Sequence, residues 1–228
     1  PQWIRPENEV VTVVVGLAPG LALAQVESPP IAAPGTGPEP AIPAEADGAG
    51  WTYSASVFGY LVPDDQDYAQ PTLTADRGWL HLEARYNYEA LETGSLWVGY
   101  NISVGETVSV DVTPMLGGVF GDLNGVAPGF EFTVGFWKLE LYSEGEYVVA
   151  TSDSSLNFFY LWTELSLSPV DWFRVGLVAQ RTRAFESDVE VQRGFLVGVS
   201  YRWADFSAYL FNPGQDQPTV VLALGATF

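Results

Sequence analysis

The sequence predicts an all-β protein, a transmembrane antiparallel up-and-down β-barrel of about 12 strands. Hydrophobic residues make up 47% of the chain, yet the longest apolar run covers only residues 10–24, and the other apolar residues alternate with polar or small ones. Helical membrane proteins need runs of about 20 apolar residues. A chain that spans lipid with strands must close into a barrel, because an open sheet edge leaves backbone groups without partners.

The C-terminal segment has the clearest strand pattern. Val220, Leu222, Leu224, Ala226 and Phe228 alternate with small or apolar residues, and the segment ends on the aromatic ring. This pattern resembles the last strand of Gram-negative outer-membrane β-barrels, in which the terminal Phe is part of the signal that the barrel-assembly machinery recognises. The resemblance implies an assembly signal formed by Leu222, Leu224, Ala226 and Phe228.

Breaks in the alternation divide the remaining chain into strands. Five breaks are short (76–78, 104–105, 136–138, 168–171 and 203–205), and six are generally longer and more acidic or glycine-rich (63–67, 91–94, 120–129, 151–154, 185–189 and 212–218). Short turns on one side and longer loops on the other are typical of membrane barrels, in which short turns face the periplasm. The breaks predict twelve strands, an even number that puts both ends of the barrel on the periplasmic side.

Two further patterns support this map. In residues 80–88, Leu80, Leu82, Ala84, Tyr86 and Tyr88 are predicted to face lipid, opposite a polar face that points into the barrel. Five tryptophans each lie within a few residues of a predicted periplasmic end, where indoles favour the membrane interface. This predicted interfacial girdle consists of Trp51, Trp79, Trp137, Trp172 and Trp203.

The N-terminal region divides into two parts. Residues 1–24 resemble a secretory signal that ends in the cleavage pattern Ala22-Leu23-Ala24, although the upstream flank has one Arg against two Glu and no initiating Met. We therefore expect either a true start inside this segment or a fragment of a longer reading frame; a short buried strand or helix is the alternative. Residues 25–50 are rich in Pro, Ala and Gly and predict a disordered periplasmic tail. The barrel is predicted to span residues 51–228.

Charge and cysteine content narrow the function. The net charge of −19, with nine Lys and Arg, argues against nucleic-acid binding, which needs a basic surface. The absence of cysteine excludes a disulfide scaffold and thiolate chemistry.

The alternation assigns a set of charged residues to the lumen, and acidic groups outnumber basic ones. The set is His81, Glu83, Arg85, Asp111, Glu131, Glu140, Glu144, Glu146, Glu164, Arg174 and Arg202. A carboxylate lining favours cations and polar neutral solutes over anions. Alternatively, the arginines pair with glutamates on neighbouring strands and fill a narrow barrel.

Catalytic and metal sites have little support in the sequence. His81 is the one histidine of the chain, and a Ser-His hydrolase needs a serine within reach and a group that orients the imidazole. No His-Ser motif of the outer-membrane phospholipase family is recognisable, so we expect no catalytic residues, no cofactor and no metal centre. His81 is expected to form hydrogen bonds in the lumen, and a membrane-embedded lipid hydrolase is the least favoured function.

Three loops remain to be interpreted. Residues 120–129 predict the longest loop, which either folds inward as a constriction or stays outside, with a strand bend at Gly117-Gly118. The acidic stretches 64–67 and 186–190 could hold a calcium ion, but neither has EF-hand spacing, and solvated acids are the alternative.

Residues 51–228 also resemble an uncharacterised, porin-like group of bacterial outer-membrane barrels. The resemblance implies an outer-membrane location, contact with outer-membrane lipids and lipopolysaccharide, and passage of small solutes. Twelve-stranded families include channels, a phospholipase, a lipid A deacylase and autotransporter translocators, so strand number does not choose among them. We expect a passive channel for small polar or cationic solutes; the alternative is a closed barrel with a structural or partner-binding role.

Overall fold

The computed structural model describes residues 50–61, 67–184, 190–215 and 218–228. The predicted signal segment, residues 25–49 of the predicted tail, and most of the two acidic loops (64–66 and 186–189) lie outside the described residues. The described residues contain no helix of the length and apolarity that crossing a membrane requires.

Thirteen strand segments form one antiparallel sheet that closes on itself. They are β1 (Thr52–Leu61), β2 (Tyr68–Arg77), β3 (Leu80–Tyr86), β4 (Thr93–Tyr100), β5 (Ile102–Val104), β6 (Val108–Gly121), β7 (Gly125–Phe136), β8 (Leu139–Ala150), β9 (Phe158–Val170), β10 (Phe173–Ala184), β11 (Glu190–Tyr201), β12 (Ala204–Phe211) and β13 (Thr219–Thr227). A single 3₁₀ turn, Ser154–Leu156, interrupts the described part of the chain between β8 and β9.

The predicted twelve-stranded barrel is confirmed. Both β4 and β5 pair with β6, so the two segments are consecutive parts of one barrel strand. Every strand pairs with its neighbours in sequence, and β1 pairs with β13, as in an up-and-down barrel. At the closing seam the backbone groups of Tyr53 and Phe228 exchange two hydrogen bonds of 2.9 Å.

Turns of two or three residues join the strands at one end, which we call the turn end. Trp137 and Arg202 adopt left-handed backbone conformations there, with φ of 56° and 58°. Gly105, with φ of 99°, meets a stricter requirement, because a Cβ atom at this position would lie 2.0 Å from the carbonyl oxygen of Val108. The predicted short breaks therefore correspond to tight turns.

Alternation along each strand separates two surfaces. Leu73, Leu96, Leu177 and Phe195 point outward and are more than half exposed, whereas the inward side chains between such positions are buried or half-buried. An exposed apolar belt on the outer surface is the arrangement expected of a barrel in lipid.

The structure corrects two details of the predicted map. Residues 120–129 do not form a long loop, because β6 extends to Gly121 and β7 begins at Gly125, which leaves three residues between the strands. Tyr88 does not face lipid. The strand ends at Tyr86, Asn87 takes a left-handed conformation with φ of 57°, and Tyr88 turns into the barrel with 3% exposure.

Candidate functional site: the lumen

The lumen contains a buried group of charged side chains on one wall. We call Asp76, His81, Glu83, Arg85, Glu131, Glu144 and Glu146 the ion cluster. They project from β2, β3, β7 and β8. The members on β3 and on β8 occupy alternate positions, so they share the inward face of their strand. Glu131 is half-buried, and the other members are at most 6% exposed.

Arg85 is the guanidinium in the ion cluster. Its Nε donates to Glu83 Oε1 at 2.7 Å and its Nη2 to Glu83 Oε2 at 2.8 Å, a bidentate pair. Nη1 donates to Glu146 Oε2 at 3.2 Å. The guanidinium carbon lies 4.2 Å from the Tyr88 ring centroid and 4.6 Å from that of Trp97, within cation–π range. Two carboxylates and two rings thus fix Arg85.

Two tyrosines hold Glu144 of the ion cluster in place. The hydroxyls of Tyr88 and Tyr142 donate to the two oxygens of Glu144, at 2.6 and 2.9 Å. Glu89, in the loop between β3 and β4, is 2% exposed, and desolvation by that burial raises the pKa of its carboxyl.

Aromatic side chains from β1, β9 and β12 fill the part of the lumen beside the ion cluster. We call Phe58, Tyr60, Tyr160, Trp162, Tyr209 and Phe211 the aromatic layer, and each of them is at most 2% exposed. The Trp162 ring meets Tyr209 edge-on at a centroid distance of 5.4 Å and Phe211 at 5.3 Å. Its Nε1 donates to Glu164 Oε1 at 2.9 Å. Water does not reach these side chains in this conformation.

Towards the turn end the lumen is more open. Asp111, Glu140 and Arg174 are half-buried inward residues there, and we call this region the turn-side mouth. Arg174 Nη2 donates to the Ser207 hydroxyl at 2.7 Å, and its Nη1 lies 3.6 Å from Glu164 Oε2. The mouth carries more acidic than basic groups.

The lumen residues predicted from the sequence are thus distributed over three places. His81, Glu83, Arg85, Glu131, Glu144 and Glu146 come together in the ion cluster, and Asp111, Glu140, Glu164 and Arg174 line the mouth and its inner edge. Arg202 is the exception. It is exposed in the turn between β11 and β12, with its guanidinium 5.2 Å from the Tyr201 ring centroid, so its predicted lumen position is wrong.

The predicted girdle and assembly residues lie as follows. Trp79, Trp137, Trp172 and Trp203 are 59–79% exposed at the turn end, and Trp51 precedes β1 with 37% exposure. In β13, Leu222 and Leu224 point outward, as does Phe228, which is 72% exposed and stacks on Tyr53 at 6.4 Å. Whether these positions act in anchoring or assembly stays a prediction.

Sequence reasoning missed Asp76 and the aromatic layer. The sequence pattern predicts Asp76 in a turn, yet β2 continues through it and places it opposite His81 across the hairpin. The two-residue turn at Gly78 and Trp79 implies that pairing, so turn length was the signal that could have located Asp76. Trp162 and Tyr209 stand at inward positions of their strands, and strict alternation predicts that direction.

Comparisons with known proteins agree on the fold. A solved structure of KdgM porin in complex with disordered oligogalacturonate aligns with a TM-score of 0.58 and 8% identity, over 77% of this chain and 99% of that chain. A second structure of KdgM porin aligns with a TM-score of 0.56 and 8% identity, over the same shares of the two chains. The chain has the fold of an outer-membrane porin.

More distant similarity includes the Acinetobacter baumannii outer membrane protein Omp33, with a TM-score of 0.46 and 12% identity over 78% of this chain and 98% of that chain. No protein-family model matches the sequence, and no curated protein matches it. The two KdgM porin structures confirm the predicted porin-like barrel at the level of the fold.

Proposed function

We propose that the protein is an outer-membrane channel for small polar or cationic solutes. The fold that it shares with the two KdgM porin structures supports the general class. The solute preference is argued from the charges of the lumen, because fold alone does not specify a substrate.

The observation that carries this proposal is the excess of inward carboxylates over inward guanidiniums. Among the strand residues whose side chains the structure describes, the inward acids are Asp76, Glu83, Asp111, Glu131, Glu140, Glu144, Glu146 and Glu164, against Arg85 and Arg174. Within the described residues, Asp76 Oδ2, Asp111 Oδ2 and Glu146 Oε1 are buried without a hydrogen-bond partner. Buried carboxylate oxygens without partners are costly, and a passing cation or water can satisfy them.

A second candidate is the closed barrel with a structural or partner-binding role. The aromatic layer favours this closed barrel, because its side chains fill the lumen and Tyr160 and Trp162 are 0% exposed. For conduction, this layer or the ion cluster must rearrange to open a water path.

The orientation belongs to the same proposal. Short turns are typical of the periplasmic side of such barrels, which puts the turn-side mouth, residues 25–50 and Phe228 in the periplasm and the longer loops outside. Outer-membrane lipids, lipopolysaccharide and the barrel-assembly machinery are then the expected partners. The exposed belt and the outward position of Phe228 support these contacts.

Conductance across a planar lipid bilayer tests the proposal. The full chain, refolded in detergent and inserted into the bilayer, is expected to give discrete current steps whose reversal potential in a KCl gradient indicates cation selectivity. An electrically silent barrel that is nevertheless folded and inserted would favour the closed barrel instead. Anion-selective steps would contradict the proposed role of the carboxylates.

A pair of variants links selectivity to the mouth. Glu140→Gln removes a half-buried inward charge and is expected to lower the ratio of cation to anion permeability. Glu106→Gln makes the same change at an exposed position in the turn before β6 and is expected to leave that ratio unchanged. Equal behaviour of the two variants would show that Glu140 does not line the conducting path.

A further inference from the structure

His81 is held in one orientation by a chain of polar contacts. Its Nδ1 lies 2.9 Å from Asp76 Oδ1. The same oxygen accepts from Asn101 Nδ2 at 2.7 Å, and Asn101 Oδ1 accepts from the Thr113 hydroxyl at 2.7 Å. Gly99 leaves room for the ring, since a Cβ atom there would lie 3.2 Å from His81 Cδ2. This packing and bonding fix the direction of the imidazole.

The other ring nitrogen of His81 has no hydrogen bond. An ionised carboxylate only accepts, so Asp76 favours the tautomer in which Nδ1 carries the proton and Nε2 has a free lone pair. His81 is 2% exposed, and Nε2 is buried without a hydrogen-bond partner among the described residues. Glu83 Oε2 lies 3.6 Å from it. The Nε2 lone pair therefore faces the Glu83 carboxylate with no cation or hydrogen-bond donor of the described residues between the two groups.

Glu131 completes a set of three groups around this point. One ligand atom each from His81, Glu83 and Glu131 lies within 4.8 Å of the others. The residues come from β3 and β7, so the barrel wall itself positions them. A carboxylate behind a metal-bound histidine is common in zinc sites, and carboxylate oxygens are themselves accepted Zn²⁺ ligands.

We propose that His81 Nε2, Glu83 and Glu131 bind one divalent transition-metal ion, such as Zn²⁺, in the lumen. Asp76 orients the histidine from behind, in the manner of carboxylates that support metal-bound imidazoles. Three protein ligands leave one coordination position for water or a solute.

The required movement is small. Tetrahedral Zn²⁺ holds N and O ligands at about 2.0–2.2 Å, which separates the ligand atoms by about 3.4 Å. The Nε2–Oε2 distance of 3.6 Å is already close to that value. The three ligand atoms lie within 4.8 Å of one another, so half-buried Glu131 has to approach by roughly 1 Å at most.

The charge around the site favours a divalent cation. Arg85 binds Glu83 through both carboxylate oxygens but leaves lone pairs on each of them. Asp76, Glu144 and Glu146 bring three further carboxyl groups into the ion cluster around the site. The main competing arrangement is a protonated His81 between Asp76 and Glu83, and metal binding distinguishes the two. This inference goes beyond solute transport, because the site can bind metal whether or not the barrel conducts.

Metal binding to the refolded full chain tests the proposal. After treatment with a chelator and removal of the chelator, the barrel is titrated with ZnCl₂ in a calorimeter, and one Zn²⁺ per barrel is expected. His81→Ala and Glu131→Gln are each expected to weaken binding by more than tenfold. Asp76→Asn should weaken it by about 10- to 100-fold, the range for residues that orient a metal-bound histidine. Glu140→Gln, a lumen carboxylate outside the set, should bind as the wild type does.

Two controls separate the site from general effects. Heat-dependent mobility in detergent gels shows whether each variant has formed the barrel, and only folded variants are compared. X-ray absorption of the Zn²⁺-loaded wild type is expected to show one imidazole ligand, a result that needs no variant. Absence of binding, binding without an imidazole, or equal losses in Glu131→Gln and Glu140→Gln would overturn the proposal.

Discussion

At the scale of single residues, Arg85 has the largest electrostatic role in the described lumen. It is 6% exposed and contacts Glu83, Glu146 and two aromatic rings. Burying a guanidinium and carboxylates together costs desolvation energy that the attraction only partly offsets. Removing one partner is far worse, since the other charges then stay buried without compensation.

Arg85→Gln is therefore expected to destabilise the barrel by about 3–5 kcal/mol, because Glu83 and Glu146 lose their cation. Urea unfolding of the protein in lipid vesicles measures this change. Arg202→Gln removes an exposed guanidinium from a turn and is expected to stay within about 0.5 kcal/mol of wild type. If both variants unfold at the same urea concentration, the ion cluster does not stabilise the fold.

The direction of these side chains could be predicted from the sequence, but their partners could not. Alternation in β3 puts His81, Glu83 and Arg85 on one face, and the structure agrees. The contact of Arg85 with Glu146 joins residues 61 positions apart. It depends on the curvature and register of the whole barrel, which no local pattern contains.

At the scale of strands, β6 contains two adjacent glycines that face opposite surfaces of the barrel wall. Gly117 faces the lumen, where a Cβ atom would lie 2.5 Å from Cδ2 of the Trp97 ring. Gly118 faces outward, and a Cβ atom there would meet nothing within 4 Å. Gly117 thus makes room for the Trp97 ring, which lies beside Arg85. The strand bend expected at this pair stays a prediction.

Gly117→Ala and Gly118→Ala form a matched pair for testing this packing. The added methyl group at position 117 forces Trp97 to move and is expected to cost about 1–3 kcal/mol, as overpacked sites do. At position 118 the same change is expected to be nearly neutral. Urea midpoints of the two variants give the comparison, and Trp fluorescence reports any shift of the indole. A neutral Gly117→Ala would mean that Trp97 has free space.

The same packing explains why residues 120–129 looked like a loop. Their glycines and proline are typical of loops, yet Gly125–Phe136 is a strand paired on both sides. A Cβ atom at Gly129 would lie 2.9 Å from Trp97 Cζ3, so this glycine also makes room for the indole. Composition alone cannot distinguish a flexible glycine from one that accommodates a large neighbour.

At the scale of the whole molecule, the barrel places apolar residues outside and charged residues inside. The outer surface carries apolar side chains such as Leu96 and Phe195 at 60% and 55% exposure, whereas Glu83 is 5% exposed. This distribution is reversed relative to a water-soluble protein and is stable only where lipid covers the belt. The strand pattern was sufficient to predict it, because inside and outside alternate along every strand.

Arginine substitutions at two depths of the outer surface test whether lipid covers the apolar belt. Leu177 lies near the middle of β10, is 54% exposed, and pairs with the outward residues Leu165 and Phe195. Leu177→Arg is expected to cost about 2–4 kcal/mol, because an outward arginine near the bilayer midplane has to be pulled from water. Val170, at the end of β9 beside the turn with Trp172, is 44% exposed. Val170→Arg is expected to cost about 0–1 kcal/mol, since the guanidinium reaches the interface.

Unfolding of both variants in lipid vesicles measures the difference, and unfolding in a short-chain detergent is the control. The gap between the two variants should narrow in detergent, because micelles adapt to a charge more readily than a bilayer does. Equal costs in vesicles would mean that position 177 is not at the depth that the barrel geometry gives it. A larger cost for Val170→Arg would reverse the assignment, because the membrane would then cover the turn end and not the middle of the strands.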